Sequence, residues 1–382
     1  MRKRVFAFLL SLCLLAGILP TGRAVELEVP APSVVLMDAA TGQVLYEKDS
    51  HARLRPASVT KIMTLLLVME ALDRGQLSWD DTITASQNAV AKGGSQVYLE
   101  EGEQMSMDEM LKSVVVSSAN DCATALAEAV AGSEPVFVQR MNERAAELGM
   151  NDTHFVNCTG LDDAPEAEEH LTTAYDIALM SRELLKHDAI RKYTAIWMDT
   201  VRGGKFGLSN TNKLVRFYNG TTGLKTGFTQ AAGHCLSATA ERDGMELIAV
   251  VLHCASSADR FESAKTLLDY GFATYALAMP EPPSELGQVQ VKLGEEPVIF
   301  PVLRETEPVL LEKRLQSSLV TEIELEETVT APVEKGQRLG SLTVRAGDQV
   351  VASIPIVAPE RVERLSWWQL TAKILRNACL GM

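Results

Sequence analysis

Ser58 and Lys61 stand three residues apart in Pro56-Ala57-Ser58-Val59-Thr60-Lys61, directly ahead of the run Ile62 to Leu72. Past Lys61 the run is apolar on nearly every side, with no Gly or Pro before Gly75. A helix that is apolar all round is a buried helix, and Pro56 suits a chain entering a first turn. The spacing puts both side chains on one face. A serine hydroxyl is a weak nucleophile until a neighbouring base takes its proton, and a lysine amine can be that base. The serine's own backbone N–H, at a helix start, points toward an oxyanion that forms there. The chemistry open to this pair is acyl transfer through a serine ester. Ser-x-x-Lys is common, so its meaning depends on what else the chain brings beside it.

Two further segments carry suitable side chains. Ser106-Met107-Asp108-Glu109 is a capping box that opens a helix to Val116. Ser117-Ser118-Ala119-Asn120-Asp121 follows, before a second helical run from Cys122 to Val130. A Ser/Asn cluster there favours a break, from which Ser118 and Asn120 can project into a cleft; taken alone it reads as an ordinary interhelical turn. Gly223-Leu224-Lys225-Thr226-Gly227 comes just before a hairpin, Cys235 to Ala240 and Leu247 to Leu252, turned at Asp243-Gly244. Lys225 and Thr226 then lie on a neighbouring strand, and Gly227 lets a backbone or ligand come close. A lysine guarding a strand edge is the plainer reading of Lys225.

The elements that must hold these residues mix helix and strand. Ser33 to Met37 and Gln43 to Tyr46 read as a hairpin around Asp38 to Gly42. Polar, Gly-rich residues 73–103 read as loops and short elements. Helices are expected over 134–149, Thr172 to Lys186 and Arg260 to Tyr270, with an acidic loop over 151–170. Strands at the start and again late, with helices between, make an α+β layout whose sheet is closed by distant parts of the chain.

The 382 residues allow two or three domains, and the net charge of −14, with no basic surface in evidence, argues against a nucleic-acid partner. Arg2-Lys3-Arg4, the apolar run Val5 to Leu19 and small residues up to Ala24 read as a secretory signal over 1–24. That implies work outside the cytoplasmic membrane. Leu12 is too large for lipobox processing at Cys13. The five later cysteines, Cys122, Cys158, Cys235, Cys254 and Cys379, are odd in number and irregular in spacing. They suggest neither a disulfide framework nor a metal site, and no cofactor is expected.

Residues 25–280 form the expected first domain. Pro280-Glu281-Pro282-Pro283 reads as a linker, and 281–360 as a small all-β domain of short runs such as Val289 to Val291 and Val350 to Val357. From Arg361 to Met382 an amphipathic helix is expected. Leu365, Trp368, Ala372, Leu375 and Cys379 share one side, and Lys373 and Arg376 rule out a simple span. Two tryptophans with basic residues fit a helix lying in the plane of a membrane surface.

Ser58-x-x-Lys61, Ser118-x-Asn120 and Lys225-Thr226-Gly227, in that order, resemble the motif set of the penicillin-binding proteins and class A β-lactamases. Pro56 to Thr64, Gly94-Ser95-Gln96-Val97 and Gly223 to Gly227 extend the likeness to the low-molecular-mass branch, the serine-type D-alanyl-D-alanine carboxypeptidases. Residues Arg191 to Arg216, with Ile196-Trp197-Met198 and Asn210-Thr211-Asn212, resemble its sporulation-associated Gram-positive members. The resemblance implies the penicillin-binding/β-lactamase-like fold: an antiparallel sheet with helices and a helical subdomain. It implies that a peptidoglycan stem pentapeptide acylates Ser58, with Lys61 as base. Ser118 would relay a proton to the departing D-alanine, and Asn120 would hold substrate and Lys61. Lys225 and Thr226 would hold the terminal carboxylate, with Arg260 assisting. The N–H groups of Ser58 and Phe228 would form the oxyanion hole, with Gly227 beside them. β-Lactams would acylate Ser58 as inhibitors. On the residues, a lowered Lys61 pKa is expected from burial and from the Lys225 cation. Ala119 stands where many relatives carry Gly or Asp.

Two other readings remain open at this level. A β-lactamase needs fast deacylation, often through a Glu-x-x-Leu-Asn loop, and Glu168-Glu169-His170-Leu171-Thr172 nearly matches it. A non-catalytic wall scaffold would keep the fold and lose motif residues, yet none is lost here.

Overall fold

The computed structural model describes residues 27–279, 286–304 and 308–380, with backbone alone for 377–380. The expected signal at 1–24 and the linker at 280–283 lie outside the described residues.

Continuous apolar strands require cover on both faces of a sheet, and that is how the first unit is built. Strands β1 (Ser33–Asp38), β2 (Val44–Lys48), β3 (Thr221–Thr229), β4 (Gly233–Arg242) and β5 (Met245–Cys254) form one antiparallel sheet in the order β2-β1-β5-β4-β3. The first strand lies against the last, Ser33 opposite Leu252 and Asp38 opposite Leu247, so the sheet is closed by distant parts of the chain as expected. Alternate residues divide between two cores. Val35, Met37, Ile248 and Val250 face a large helical block, while Val34, Leu36, Leu247 and Ala249 pack under the long helix Ser257–Thr274.

Within the helical block, α1 (Lys61–Asp73) is buried at every position from Lys61 to Leu72, as its all-round apolar sequence requires. Around it run α2 (Met107–Val116), α3 (Asn120–Ala131), α4 (Glu134–Glu147) and α5 (Ala174–Leu185). The Ser106 hydroxyl accepts from the Glu109 N–H to cap α2, as the capping box predicts. Four cysteines, 122, 158, 235 and 254, are buried and unbridged.

The second unit is all β, chiefly a sheet containing Leu319–Leu325, Arg338–Ala346 and Gln349–Val357. Tyr275–Ala278, at the end of the first unit, pairs with Val309–Glu312 of the second and joins the two. The tail departs from expectation at its start. The helix runs Trp367–Leu380, whereas Val362 is buried opposite Val333 and Arg364 bridges to Gly294. Residues 361–366 complete the β unit because Val362 fills its core.

Candidate active site

Ser58 sits in a short 3-10 turn, Ala57–Thr60, and the α-helix proper begins at Lys61. Ala57 takes φ of 48°, a left-handed conformation uncommon without glycine, and it turns the chain so that the serine stands at the helix mouth. Lys61 Nζ lies 3.0 Å from Ser58 Oγ, 2.5 Å from Asn120 Oδ1 and 2.9 Å from the Thr159 carbonyl. An ammonium has three donors, and these three acceptors satisfy all of them. In the neutral amine two N–H groups can stay on Asn120 and Thr159, which leaves the lone pair aimed at the serine hydroxyl. Asn120 is oriented for this because its Nδ2 donates to the Gly93 carbonyl at 2.7 Å. It is the first residue of α3 rather than part of the preceding turn, since its N–H is taken by Ser95 O. Ser118 stays in the turn with φ of 63°, and its Oγ is buried without a hydrogen-bond partner among the described residues.

The third segment approaches from the sheet. β3 is the edge strand and carries Lys225, Thr226 and Gly227 past the Ser58 turn. A Cβ on Gly227 would lie 2.6 Å from the Pro56 carbonyl oxygen and 3.1 Å from Ser58 N, so only glycine allows the strand this close. Phe228 follows with its ring half exposed and stacked on His234 at 4.3 Å. Thr226 Oγ1 donates to Thr211 Oγ1 at 2.6 Å. Arg260 is buried and donates to the Gly227 and Cys235 carbonyls, with its Nε unpartnered among the described residues. All three motifs thus meet at one place, with Arg260 against the backbone of β3.

Burial is the main cause that brings Lys61 from 10.5 down to about 7, opposed by the nearby Cys158 and Asp121. Burial is the larger of the two causes expected for this shift, and Lys225 stands near enough to Lys61 for their charges to repel. Lys225, itself wholly buried, is held well below its ordinary value by burial first, then by Lys61 and Arg260. The repulsion between the two lysines is mutual, and on Lys61 it is set against the nearby Asp121. Among the described residues its Nζ donates one hydrogen bond, to the Thr226 carbonyl.

Several site residues escaped the sequence reading. Asn157 Oδ1 accepts from the N–H groups of Thr159 and Gly160, which shapes the loop that presents the Thr159 carbonyl to Lys61. Asn-x-x-Gly is a turn signal that could have marked this loop. Asp121 takes the N–H groups of Val97 and Leu99 and holds the segment beside Asn120. Thr211 ties Thr226 to the Ser118 side through its own N–H on the Val116 carbonyl. Glu168 and Glu169, the near match to a lactamase loop, are exposed, while His170 is buried.

A serine paired to a buried lysine, on a helix packed against an antiparallel sheet whose edge strand carries a second lysine, defines a serine–lysine acyl hydrolase. The D-alanyl-D-alanine carboxypeptidase profile, peptidase S11, matches residues 21–256, and the penicillin-binding protein 5 C-terminal domain profile matches 283–364. The D-alanyl-D-alanine carboxypeptidase DacF of Bacillus subtilis is 41% identical over 349 residues, 90% of this chain and 88% of that one. DacC of Escherichia coli is 33% identical over 90% of this chain and 88% of its own. Penicillin binding protein 5 from Haemophilus influenzae superposes with a TM-score of 0.79 at 28% identity, covering 91% of this chain and all of that one. Penicillin-binding protein D2 from Listeria monocytogenes, solved in an ampicillin-bound form, reaches a TM-score of 0.59 at 32% identity over 65% of this chain and 99% of its own. The chain belongs to the S11 family and is a serine-type D-alanyl-D-alanine carboxypeptidase.

Proposed function

We propose that Ser58 is the nucleophile and Lys61 its base, acting on the D-Ala-D-Ala end of a peptidoglycan stem pentapeptide. The observation that carries this is the 3.0 Å Ser58–Lys61 contact, with the lysine fully buried and held by Asn120 and Thr159. Neutral Lys61 takes the Ser58 proton as Oγ attacks the penultimate carbonyl. The N–H groups of Ser58 and Phe228 receive the oxyanion. Collapse breaks the amide, the departing amine takes a proton through Ser118, and water then cleaves the ester to release the shortened peptide. A β-lactam would acylate Ser58 by the same attack. The unpartnered Ser118 hydroxyl supports its relay role, since it is free to bond a substrate amine. With Glu168 and Glu169 pointing to solvent, the geometry favours slow deacylation over the lactamase alternative.

Lys225 and Thr226, with Arg260 behind them, would receive the terminal carboxylate. A buried lysine facing other cations gains most from an arriving anion. Lys225→Ala should therefore raise KM for a D-Ala-D-Ala peptide by about 10- to 100-fold, the worth of a charge-assisted hydrogen bond. Its melting temperature should change little. Free D-alanine release from a stem pentapeptide is the measurement, and an unchanged KM would defeat the assignment.

The tail supports attachment to the outer face of the cytoplasmic membrane. Trp367, Trp368, Ile374 and Leu375 are exposed on the terminal helix, and no described helix is long and apolar enough to cross a bilayer. Such a helix lies in the interface. Truncation after Ser366, which spares buried Val362, should abolish sedimentation with anionic vesicles and keep turnover of a soluble peptide within about twofold, since the helix is remote from the site's hydrogen bonds. Full vesicle binding by the truncated chain would count against this anchor.

A further inference from the structure

His170 is buried and lies one hydroxyl, that of Thr60, away from the nucleophile's backbone. The Val156 N–H donates to His170 Nδ1 at 3.2 Å, so Nδ1 is the acceptor and the ring proton sits on Nε2. Nε2 lies 2.8 Å from Thr60 Oγ1, and that hydroxyl in turn donates to the Ala57 carbonyl at 2.8 Å. Because Thr60 has one proton and gives it to Ala57, Nε2–H must be the donor to Thr60. The two deductions of the tautomer agree. The Phe155 ring packs edge-on against the imidazole, 5.6 Å between centroids, and fixes its plane.

The end of this chain of bonds matters because the Ala57 carbonyl and the Ser58 N–H belong to one planar peptide unit. Holding the oxygen on the Thr60 side aims the N–H the opposite way. Ala57 has φ of 48°, a conformation that needs outside support. Gly160 packs so close that a Cβ there would lie 1.8 Å from the Ala57 oxygen, so no side chain competes for that carbonyl.

We propose that His170, acting through Thr60, is a positioning residue that orients the Ser58 N–H as an oxyanion donor; this rests on the assignment of Ser58 as nucleophile. Burial first, then His154, keeps the ring's pKa down at about 3, so it remains neutral and in this tautomer throughout the working range.

The test measures acylation by benzylpenicillin and deacylation of the resulting ester on the full chain, per folded molecule. His170→Leu removes both bonds and Thr60→Val removes the hydroxyl with little change of shape. Each should slow acylation by about 10- to 100-fold, below the loss for deleting an oxyanion donor outright. Deacylation should slow by a similar factor, because both steps put negative charge in the same place. His170→Gln, whose amide can still donate to Thr60, should recover acylation to within about fivefold of wild type. The double variant should be no slower than the slower single one, since the two act in series. A fall in melting temperature with wild-type acylation, or losses that multiply in the double variant, would overturn the inference. The Ser58 reading fails separately, if the penicillin adduct survives Ser58→Ala.

Discussion

Ser58→Ala should leave a folded protein that takes up no benzylpenicillin and releases D-alanine about 10⁴- to 10⁶-fold more slowly than wild type. The loss is this large because no other described group is placed to replace the hydroxyl. Lys61 Nζ keeps Asn120 and Thr159 as partners, so the lysine stays positioned with nothing to deprotonate. Ser118 Oγ is a second hydroxyl at the site, but it bonds no base among the described residues, so nothing is placed to take its proton. Stability should be nearly unchanged, because Ser58 is only partly buried and its hydroxyl bonds no backbone group. Intact-protein mass spectrometry after penicillin treatment reads the first outcome directly. An adduct of the same mass on the variant would remove Ser58 from the mechanism.

How much of this site could be read in advance depends on how each residue is held. Ser58 and Lys61 were legible because one helix sets their spacing, and the apolar run behind them announces its own burial. Lys225 was legible through Gly227 and the Asp243-Gly244 turn, which fix the strand and its neighbour. The residues that hold the three motifs together were not. Thr159 acts through its backbone carbonyl, which any residue has. Thr60 and His170 meet across 110 positions, and no local pattern predicts that contact. Asp121 reads only as the end of the turn before Cys122, yet its carboxylate accepts from the N–H groups of Val97 and Leu99. The tail was misplaced by six residues for a similar reason. Its amphipathic pattern extends back through Val362, but that side chain is claimed by the core of the β unit, a tertiary fact with no signature in the helix period.

The electrostatics were the other part that sequence reasoning left incomplete, and they lead to the second large effect. A base that must be neutral to act makes acylation rise with pH. With Lys61 at about 7, second-order acylation by a β-lactam should increase about tenfold per pH unit below that value and level off above it. The Lys61→Met variant should lose about 10²- to 10⁴-fold in acylation and lose this pH dependence as well. Stability supplies an independent check with its own sign. Lys61 binds its proton more weakly folded, at about 7, than unfolded, near 10.5, so between those values the unfolded chain holds more protons. Stability must then rise with pH across that window, and the penalty of a charged buried amine is fully present below it. Lys61→Met removes that contribution, so the variant should be more stable relative to wild type at pH 6 than at pH 9. Activity lost at every pH, together with a relative stability that falls as pH rises, is a pattern that simple misfolding cannot produce. Acylation that is flat from pH 5.5 to 8.5, or a variant whose relative stability does not depend on pH, would show that the buried amine is not the titrating base.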